Sequence, residues 1–347
     1  MVRTLFRMAA LGWFLFSCTN AHAASDQILS YTAPKVVKGS VIVEYPPVEE
    51  LYGKEAWVDL SFMVSETGQP FDIEVTDSSG AKAFIKQAVQ ALEKGLYSPA
   101  MQNGVPIEAS QEMRVRFQIQ GSLKAAYPKF VRRFRSLMNA LKRNDVDKAS
   151  RIMAKLDTMD IRNLYEDAYL NIARFNYAVA TDQPDVTQLR FLSRAVDGQG
   201  QEGYLPSKLY LGSMELKFNL EVQTKDYVSA LHTYRRMTKL DESGGLEAKY
   251  QQLHTQILAL KSTPGSYQVV GELAESGIWR FDLFKMRFSL HDVRGEISDL
   301  KLKCSARRVS LPVRVDAEFK IPASYGACAL VVSGAEGTQF KVLQTTL

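Results

Sequence analysis

The first third of the chain contains three stretches in which apolar and polar residues alternate. In the first stretch, apolar residues occupy every second position from Ala56 to Val64, in the second from Phe71 to Val75, and in the third from Met113 to Ile119. A period of two predicts strands that each bury one face, as in an antiparallel sheet. Gly68 lies in the polar segment between the first two strands, which therefore predicts a hairpin turn.

A helix is predicted between the second and third strands. Its apolar residues follow a helical spacing that would cover the sheet, with Phe84, Ala88, Ala91 and Leu92 in one stripe. The stretch EVTDSSG, Glu74 to Gly80, joins strand to helix and has the form of a phosphate-binding turn. A phosphate site favours several glycines and a lysine, whereas Asp77 places negative charge there. We therefore expect a turn in which Ser78 or Ser79 caps the helix, with Asp77 near the helix N-terminus.

Between residues 122 and 262 the alternation gives way to apolar residues at helical spacing. Consecutive stretches of this kind predict a stack of helical hairpins. The stretch KDYVSALHTYRRMTKLD, Lys225 to Asp241, resembles the second helix of a tetratricopeptide repeat. No regular repeat of about 34 residues can be assigned across the segment, so tetratricopeptide-like geometry is an expectation for the helical region as a whole.

Between residues 265 and 347 short alternating stretches return, separated by turns, and predict a small all-β domain. Cys304 ends one predicted strand and Cys328 begins another. They are the only cysteines after residue 18, and a single pair in an exported protein predicts a disulfide. Metal binding would need further ligands near them, and neither cysteine has a histidine close to it in the sequence.

The N-terminal residues 1–23 have the pattern of a secretory signal peptide. Arg3 and Arg7 precede an uncharged apolar run, and small residues follow it up to Ala23, after which we expect cleavage. The apolar run is shorter than the roughly 20 residues that cross a bilayer. An alternative is a lipoprotein signal with Cys18 as the acylated residue. Residues 24–42 are predicted to be a linker, and the mature protein is expected in the periplasm.

Composition and motifs favour a protein without cofactor or enzymatic activity. The formal net charge of +5 and pI near 8.9 are too weak and too dispersed for a nucleic-acid partner. The stretch GQGQEG, Gly198 to Gly203, matches a dinucleotide-binding pattern, but it follows a predicted helix instead of a strand. The histidines of the mature chain lack ligand-type spacing, and no hydrolase or nucleotide-binding motif is present. We therefore predict no catalytic, metal or small-molecule cofactor site.

The first segment as a whole resembles the TonB C-terminal domain. The resemblance covers about 75 residues in consistent order, and its elements are Tyr45-Pro46, Gly53, VSETGQP (Val64 to Pro70), VTDSSG (Val75 to Gly80), Ser98-Pro99-Ala100, NGVP (Asn103 to Pro106) and Phe117. The family commonly has a tryptophan before the Pro-Ala element, where this chain has Leu96-Tyr97.

The resemblance implies a periplasmic domain that binds an extended segment of an outer-membrane protein by strand addition at a sheet edge. The docking strand it implies consists of Met113, Arg114, Val115, Arg116, Phe117, Gln118 and Ile119. A TonB-type energy transducer would also carry a persistent N-terminal membrane helix and a long proline-rich spacer. This chain has a signal that looks cleavable in place of the membrane helix. Its 12 prolines are scattered and do not form a spacer.

The expected architecture is a multidomain α+β protein. It comprises a TonB-C-like antiparallel sheet with a helix (43–120), a helical, tetratricopeptide-like region (122–262) and an all-β domain with one disulfide (265–347). The expected function is non-enzymatic binding of a periplasmic or outer-membrane protein through the sheet edge, the helical surface or both. Two alternatives remain open: a TonB-type transducer or transport accessory whose N-terminus stays uncleaved, and an envelope enzyme with an unrecognised site. The sequence does not indicate an oligomeric state.

Overall fold

A computed structural model describes residues 30–121, 125–199, 203–274 and 276–346. The predicted signal peptide and the start of the predicted linker lie outside these residues. The first segment contains the predicted order of strand, strand, helix and strand. Its elements are β1 (Tyr31–Thr32), β2 (Lys35–Val36), α1 (Pro47–Leu51), β3 (Ala56–Val64), β4 (Pro70–Ser78), α2 (Lys82–Glu93), β5 (Tyr97–Ser98), β6 (Ala100–Gln102), β7 (Val105–Ile107) and β8 (Ala109–Phe117).

The main sheet of this segment is antiparallel, with strand order β4-β3-β8. Helix α2 covers one face of the sheet, and its predicted stripe is buried there, which confirms that prediction. The expectation that each strand buries only one face is wrong for β3, in which every residue except Asp59 is buried. The cause is that the later segments of the chain pack on the second face, where Trp57 joins the core of the helical segment.

The sequence pattern does not predict the two short strands at the start of the described chain. Strand β1 pairs with β6, and β2 pairs with β5. Residues 30–36, which fall in the predicted linker, are thereby attached to the first segment.

The middle segment is helical, as predicted. Its helices are α3 (Pro128–Lys142), α4 (Val146–Asp157), α5 (Leu164–Ala180), α6 (Asp185–Val196), α7 (Ser207–Gln223), α8 (Tyr227–Leu240) and α9 (Gly245–Leu260). Each helix packs against the next one along the chain, as expected for stacked hairpins. Asp145, Asn163 and Asp226 cap α4, α5 and α8 by accepting main-chain N–H bonds. Tetratricopeptide-like geometry stays a prediction.

The last segment contains two four-stranded antiparallel sheets around one core. The strands are β9 (Ser266–Glu272), β10 (Ile278–Asp282), β11 (Arg287–Arg294), β12 (Ile297–Cys304), β13 (Arg308–Leu311), β14 (Glu318–Lys320), β15 (Cys328–Gly334) and β16 (Gln339–Thr345). The strand orders are β10-β15-β12-β13 and β14-β11-β16-β9. The sequence pattern does not predict the three-residue strand β14.

In this segment, one predicted strand is divided in two and the predicted disulfide is present. The sequence pattern predicts one strand from Arg280 to Leu290. The structure divides this stretch between β10 and β11, because the side chain of Gln344 accepts hydrogen bonds from the main-chain N–H groups of Phe284 and Lys285 and holds a bend between the two strands. The predicted disulfide is present: Cys304 and Cys328 lie opposite each other on β12 and β15 and are bonded.

Within the described part of the chain, no helix is long and apolar enough to cross a membrane.

Candidate partner-binding edge

Strand β8 is an edge strand, and its pairing with β3 is regular. All nine residues of β8 oppose residues of β3 without a shift in register, from Ala109 opposite Val64 to Phe117 opposite Ala56. Among the described residues, no strand pairs with the other side of β8. This edge is therefore a straight row of main-chain groups without a strand partner.

The pairing of Trp57 determines which main-chain groups of β8 point outward. The N–H of Trp57 donates to the hydroxyl of Ser79, and its carbonyl accepts from the N–H of Ser79, so both groups face β4. Successive residues of a strand direct their main-chain groups to opposite sides, so those of Val58 face β8. Val115, which lies opposite Val58, must then face β3, while Arg114 and Arg116 direct their N–H and C=O groups outward.

The opposite edge of the sheet, formed by β4, is less suitable for strand addition. Its pairing with β3 is interrupted by two register shifts. The N–H of Ser78 is occupied by the carboxylate of Asp77, and the carbonyl of Asp72 accepts a hydrogen bond from Nζ of Lys303. Bulges and side-chain blocking of this kind protect sheet edges from further strands.

The predicted docking residues occupy distinct environments. Met113, Val115 and Phe117 direct their side chains into the core beneath α2. Gln118 and Ile119 follow the end of β8, and the N–H of Ile119 donates to Oε1 of Glu55 at 3.1 Å. The predicted strand is therefore present up to Phe117, but only the main-chain groups of its even-numbered residues are available at the edge.

The side chains of the even-numbered residues lie over the second face of the sheet. The side chain of Arg116 is exposed there. The guanidinium of Arg114, in contrast, donates hydrogen bonds to both carboxylate oxygens of Asp59 at 2.6 Å. It also lies 4.1 Å from the ring centre of Trp57. The indole N–H of Trp57 donates to the buried carboxylate of Asp167 on α5 at 2.9 Å. These contacts fix β8 and β3 against the helical segment.

The EVTDSSG turn differs from its prediction. Helix α2 begins after Ala81, and neither Ser78 nor Ser79 caps it, because the hydroxyl of Ser79 accepts the N–H of Trp57. Asp77 does not act at the helix end either. Its carboxylate is held by Nε and Nη2 of Arg194 on α6, with the Nε bond at 2.8 Å. The turn is therefore a contact with the helical segment, and the charge of Asp77 is balanced.

A second group of charges joins β4 to the last segment. Lys303, on β12, is 1% exposed, and its Nζ lies 2.7 Å from Oε2 of Glu74. Lys301 and Arg308 also contact the carboxylate of Asp72. The sequence pattern does not reveal this group, because alternating charged residues in a strand indicate only a polar face and not the element that covers it.

Exposed apolar side chains lie near the end of β8. Leu51 and Tyr52, at the end of α1, are 82% and 64% exposed. Gly53 follows them and lies beside Ile119: a Cβ atom at position 53 would be 4.0 Å from Cδ1 of Ile119. An apolar surface next to a free strand edge suits a protein partner, since strand addition combines main-chain hydrogen bonds with side-chain pockets.

One side-chain arrangement bears on the enzyme alternative. Oγ of Ser289 lies 2.7 Å from Nε2 of His291, whose Nδ1 lies 2.6 Å from the carboxylate of Asp316. The order resembles a hydrolytic triad. Ser289 is only 7% exposed, however, and lies in β11, which is paired with β14 and β16 on its two sides. Its neighbouring N–H groups are thereby committed to the sheet, so no main-chain oxyanion site forms beside it.

Comparison with known proteins identifies the first segment. Residues 42–119 match the family model of the Gram-negative bacterial TonB protein C-terminal domain. Protein TonB of Vibrio cholerae is 26% identical over 97 residues, which cover 28% of this chain and 40% of that protein. This chain therefore spans about two fifths of the length of that curated relative.

Two solved structures are similar to part of the chain. The TonB C-terminal domain of Pseudomonas aeruginosa is 22% identical, with a TM-score of 0.24, and the match covers 26% of this chain and 92% of that one. The TonB2 protein of Vibrio anguillarum is 28% identical, with a TM-score of 0.22, over 34% of this chain and 98% of that one. On the strength of the family match, residues 42–119 form a TonB C-terminal domain.

Proposed function

We propose that this chain is a non-enzymatic protein-interaction protein of the cell envelope. Its TonB C-terminal domain binds an extended segment of a periplasmic or outer-membrane protein, which adds as a strand to β8. The family match supports a protein-binding role for the domain.

The observation that carries the proposal is the contrast between the two edges of the sheet. The β8 edge is regular over nine residues, whereas the β4 edge is interrupted and partly blocked by side chains. Strand addition obtains its affinity from an uninterrupted series of main-chain hydrogen bonds. Only the β8 edge offers such a series in this sheet.

The role of a complete TonB-type energy transducer is an alternative that depends on the N-terminus. A transducer of this type would keep Met1 and the apolar run that follows it as a membrane anchor, whereas a periplasmic binding protein would begin at Ala24. Mass spectrometry of the mature N-terminus from the envelope fraction distinguishes the two. A mature chain that begins at Met1 would favour the transducer.

The edge is tested by the pair Arg116→Pro and Arg116→Ala. Proline at this position removes one outward N–H while leaving the hydrogen bonds to β3 in place, and edge strands tolerate proline. Alanine removes the same exposed side chain but keeps the N–H. We expect a partner that the wild-type chain retains from a solubilised Gram-negative envelope extract to be retained by R116A and lost by R116P.

Both variants are first checked for a native near-ultraviolet circular dichroism spectrum. Equal retention of the partner by the two folded variants would reject strand addition at β8. Equal loss would show that the Arg116 side chain, and not the main chain, makes the contact.

A further inference from the structure

A wide cleft lies where the three segments of the chain meet. Its volume is about 1160 Å³, and its walls come from β4 and the EVTDSSG turn, from helices α4 to α6, and from Ala274, Ser276 and Ile278. This exceeds the roughly 300–1,000 Å³ of typical small-molecule pockets. The cleft can therefore take a segment of polypeptide.

Among the residues that the structure describes, the charged side chains of the cleft leave an excess of positive charge. Three of its acidic groups are occupied by neighbours: Asp77 by Arg194, Asp157 by Arg174, and Glu74 by Lys303. Arg190 and Lys82 also line the cleft, and neither forms an ion pair with any residue that the structure describes. The sequence suggested that Asp77 would repel an anion at the EVTDSSG turn. In the structure Arg194 balances the charge of Asp77.

Arg190 lies in a setting that a bound carboxylate would stabilise. Its guanidinium lies 5.2 Å from the ring centre of Phe191, and Arg174 lies 5.9 Å from the same ring. Burial and the neighbouring charges of Arg194 and Arg174 lower the pKa of Arg190 below its ordinary value, although the charges of Asp77 and Glu272 act in the opposite direction. A negative group between these side chains would relieve the repulsion.

Apolar side chains share the cleft with these cations. Tyr177, Phe191, Ile85 and Ile278 belong to its walls. A mixture of cationic and apolar groups along a long cleft matches a peptide in which acidic and apolar residues alternate. We propose that this cleft is a second protein-binding site, separate from the β8 edge, which takes an extended acidic segment of a partner protein through Arg190 and Lys82.

The proposal is tested with two fluorescein-labelled decapeptides, one alternating glutamate with valine and the other alternating lysine with valine. Their binding to the full chain is measured by fluorescence anisotropy at low salt. We expect the acidic peptide to bind and the basic peptide not to bind. The double variant K82E/R190E should weaken binding of the acidic peptide by about tenfold, equivalent to about 1.4 kcal/mol.

The matched control is K148E/K239E, which makes the same change of charge at two exposed lysines that do not line the cleft. It should leave the affinity unchanged, as should R116P, whose site is the β8 edge. Equal weakening by both double variants would show a non-specific charge effect and overturn the proposal. Absence of binding by the wild type, or binding of phosphatidylglycerol vesicles instead of the peptide with the same dependence on Lys82 and Arg190, would also overturn it.

Discussion

At the scale of single residues, the second face of the TonB-like sheet is held by charge pairs between residues far apart in sequence. Asp77 pairs with Arg194, and Glu74 pairs with Lys303. In the sequence these acids are simply the polar positions of an alternating strand. Alternation indicates that one face of the sheet is buried, but it does not indicate what packs against the opposite, polar face. The apolar residues Trp57 and Met63 on that face were the available sign that it is covered.

Among the residues that pair with this face from other segments, Lys303 is the one whose loss should cost most. Removing one partner of a buried ion pair leaves an uncompensated charge, which typically costs about 3–5 kcal/mol. We expect Lys303→Met to lower the free energy of unfolding by about 3 kcal/mol, at the lower end because Lys301 stays near Glu74. Urea titration measures the change, with Lys320→Met at an exposed position as the control. Equal stability of the two variants would contradict the role of Lys303.

Glu221 predicts a pH-dependent stability in the helical segment. Burial raises the pKa of Glu221 to about 7 from its ordinary 4.5, although Nζ of Lys217 lies 2.6 Å from its carboxylate. A carboxyl group whose folded pKa is raised stabilises the fold below its unfolded pKa, and that contribution is lost as the pH rises through the folded pKa.

The variant Glu221→Gln should therefore gain stability relative to wild type as the pH rises from 4.5 to 7 and above. The full change is about 3 kcal/mol for a shift of this size. Urea titrations at several pH values measure it, and Glu247→Gln, at an exposed position, is the control. A stability difference between E221Q and wild type that stays constant over this range would contradict the shift.

At the scale of elements, the pattern of apolar residues predicts most of the architecture. The strands β3, β4 and β8, helix α2 and the helices from α3 to α9 all follow from spacing. The division between β10 and β11 does not, because the turn depends on Gln344, about 60 residues later. Spacing predicts β8 as a strand, and the family resemblance implies that it is the docking edge. Which of its main-chain groups point outward follows only from the hydrogen bonds of Trp57.

The disulfide between β12 and β15 should stabilise the last segment. It joins two residues that are 24 positions apart in the sequence, and closing a loop of this size is worth about 3 kcal/mol by chain entropy. We expect the double variant C304S/C328S to lose about this amount in chemical denaturation. A reducing agent should destabilise the wild type to the same degree and leave the double variant unchanged. An unchanged wild type under verified reduction would contradict this expectation.

At the scale of the whole molecule, all three segments meet on one sheet. The helical segment contacts it through Trp57 and Asp77. The last segment contacts it through Glu74 and Asp72 on β4 and, by an ion pair with Arg280, through the side chain of Glu112 on β8. Packing of this kind closes the second face and constrains β4, while the main-chain edge of β8 stays without a strand partner among the described residues. The sequence could not predict this arrangement, because it depends on how separate segments pack.

Addition of a partner strand to β8 can be detected by amide hydrogen exchange followed by NMR. In the free chain, the amides of Met113, Val115 and Phe117 should exchange slowly, because they are bonded to β3, and those of Arg114 and Arg116 should exchange quickly. With the partner retained from the envelope extract bound, Arg114 and Arg116 should become protected as well. Unchanged exchange at the amides of Arg114 and Arg116 in the complex would rule out strand addition at β8.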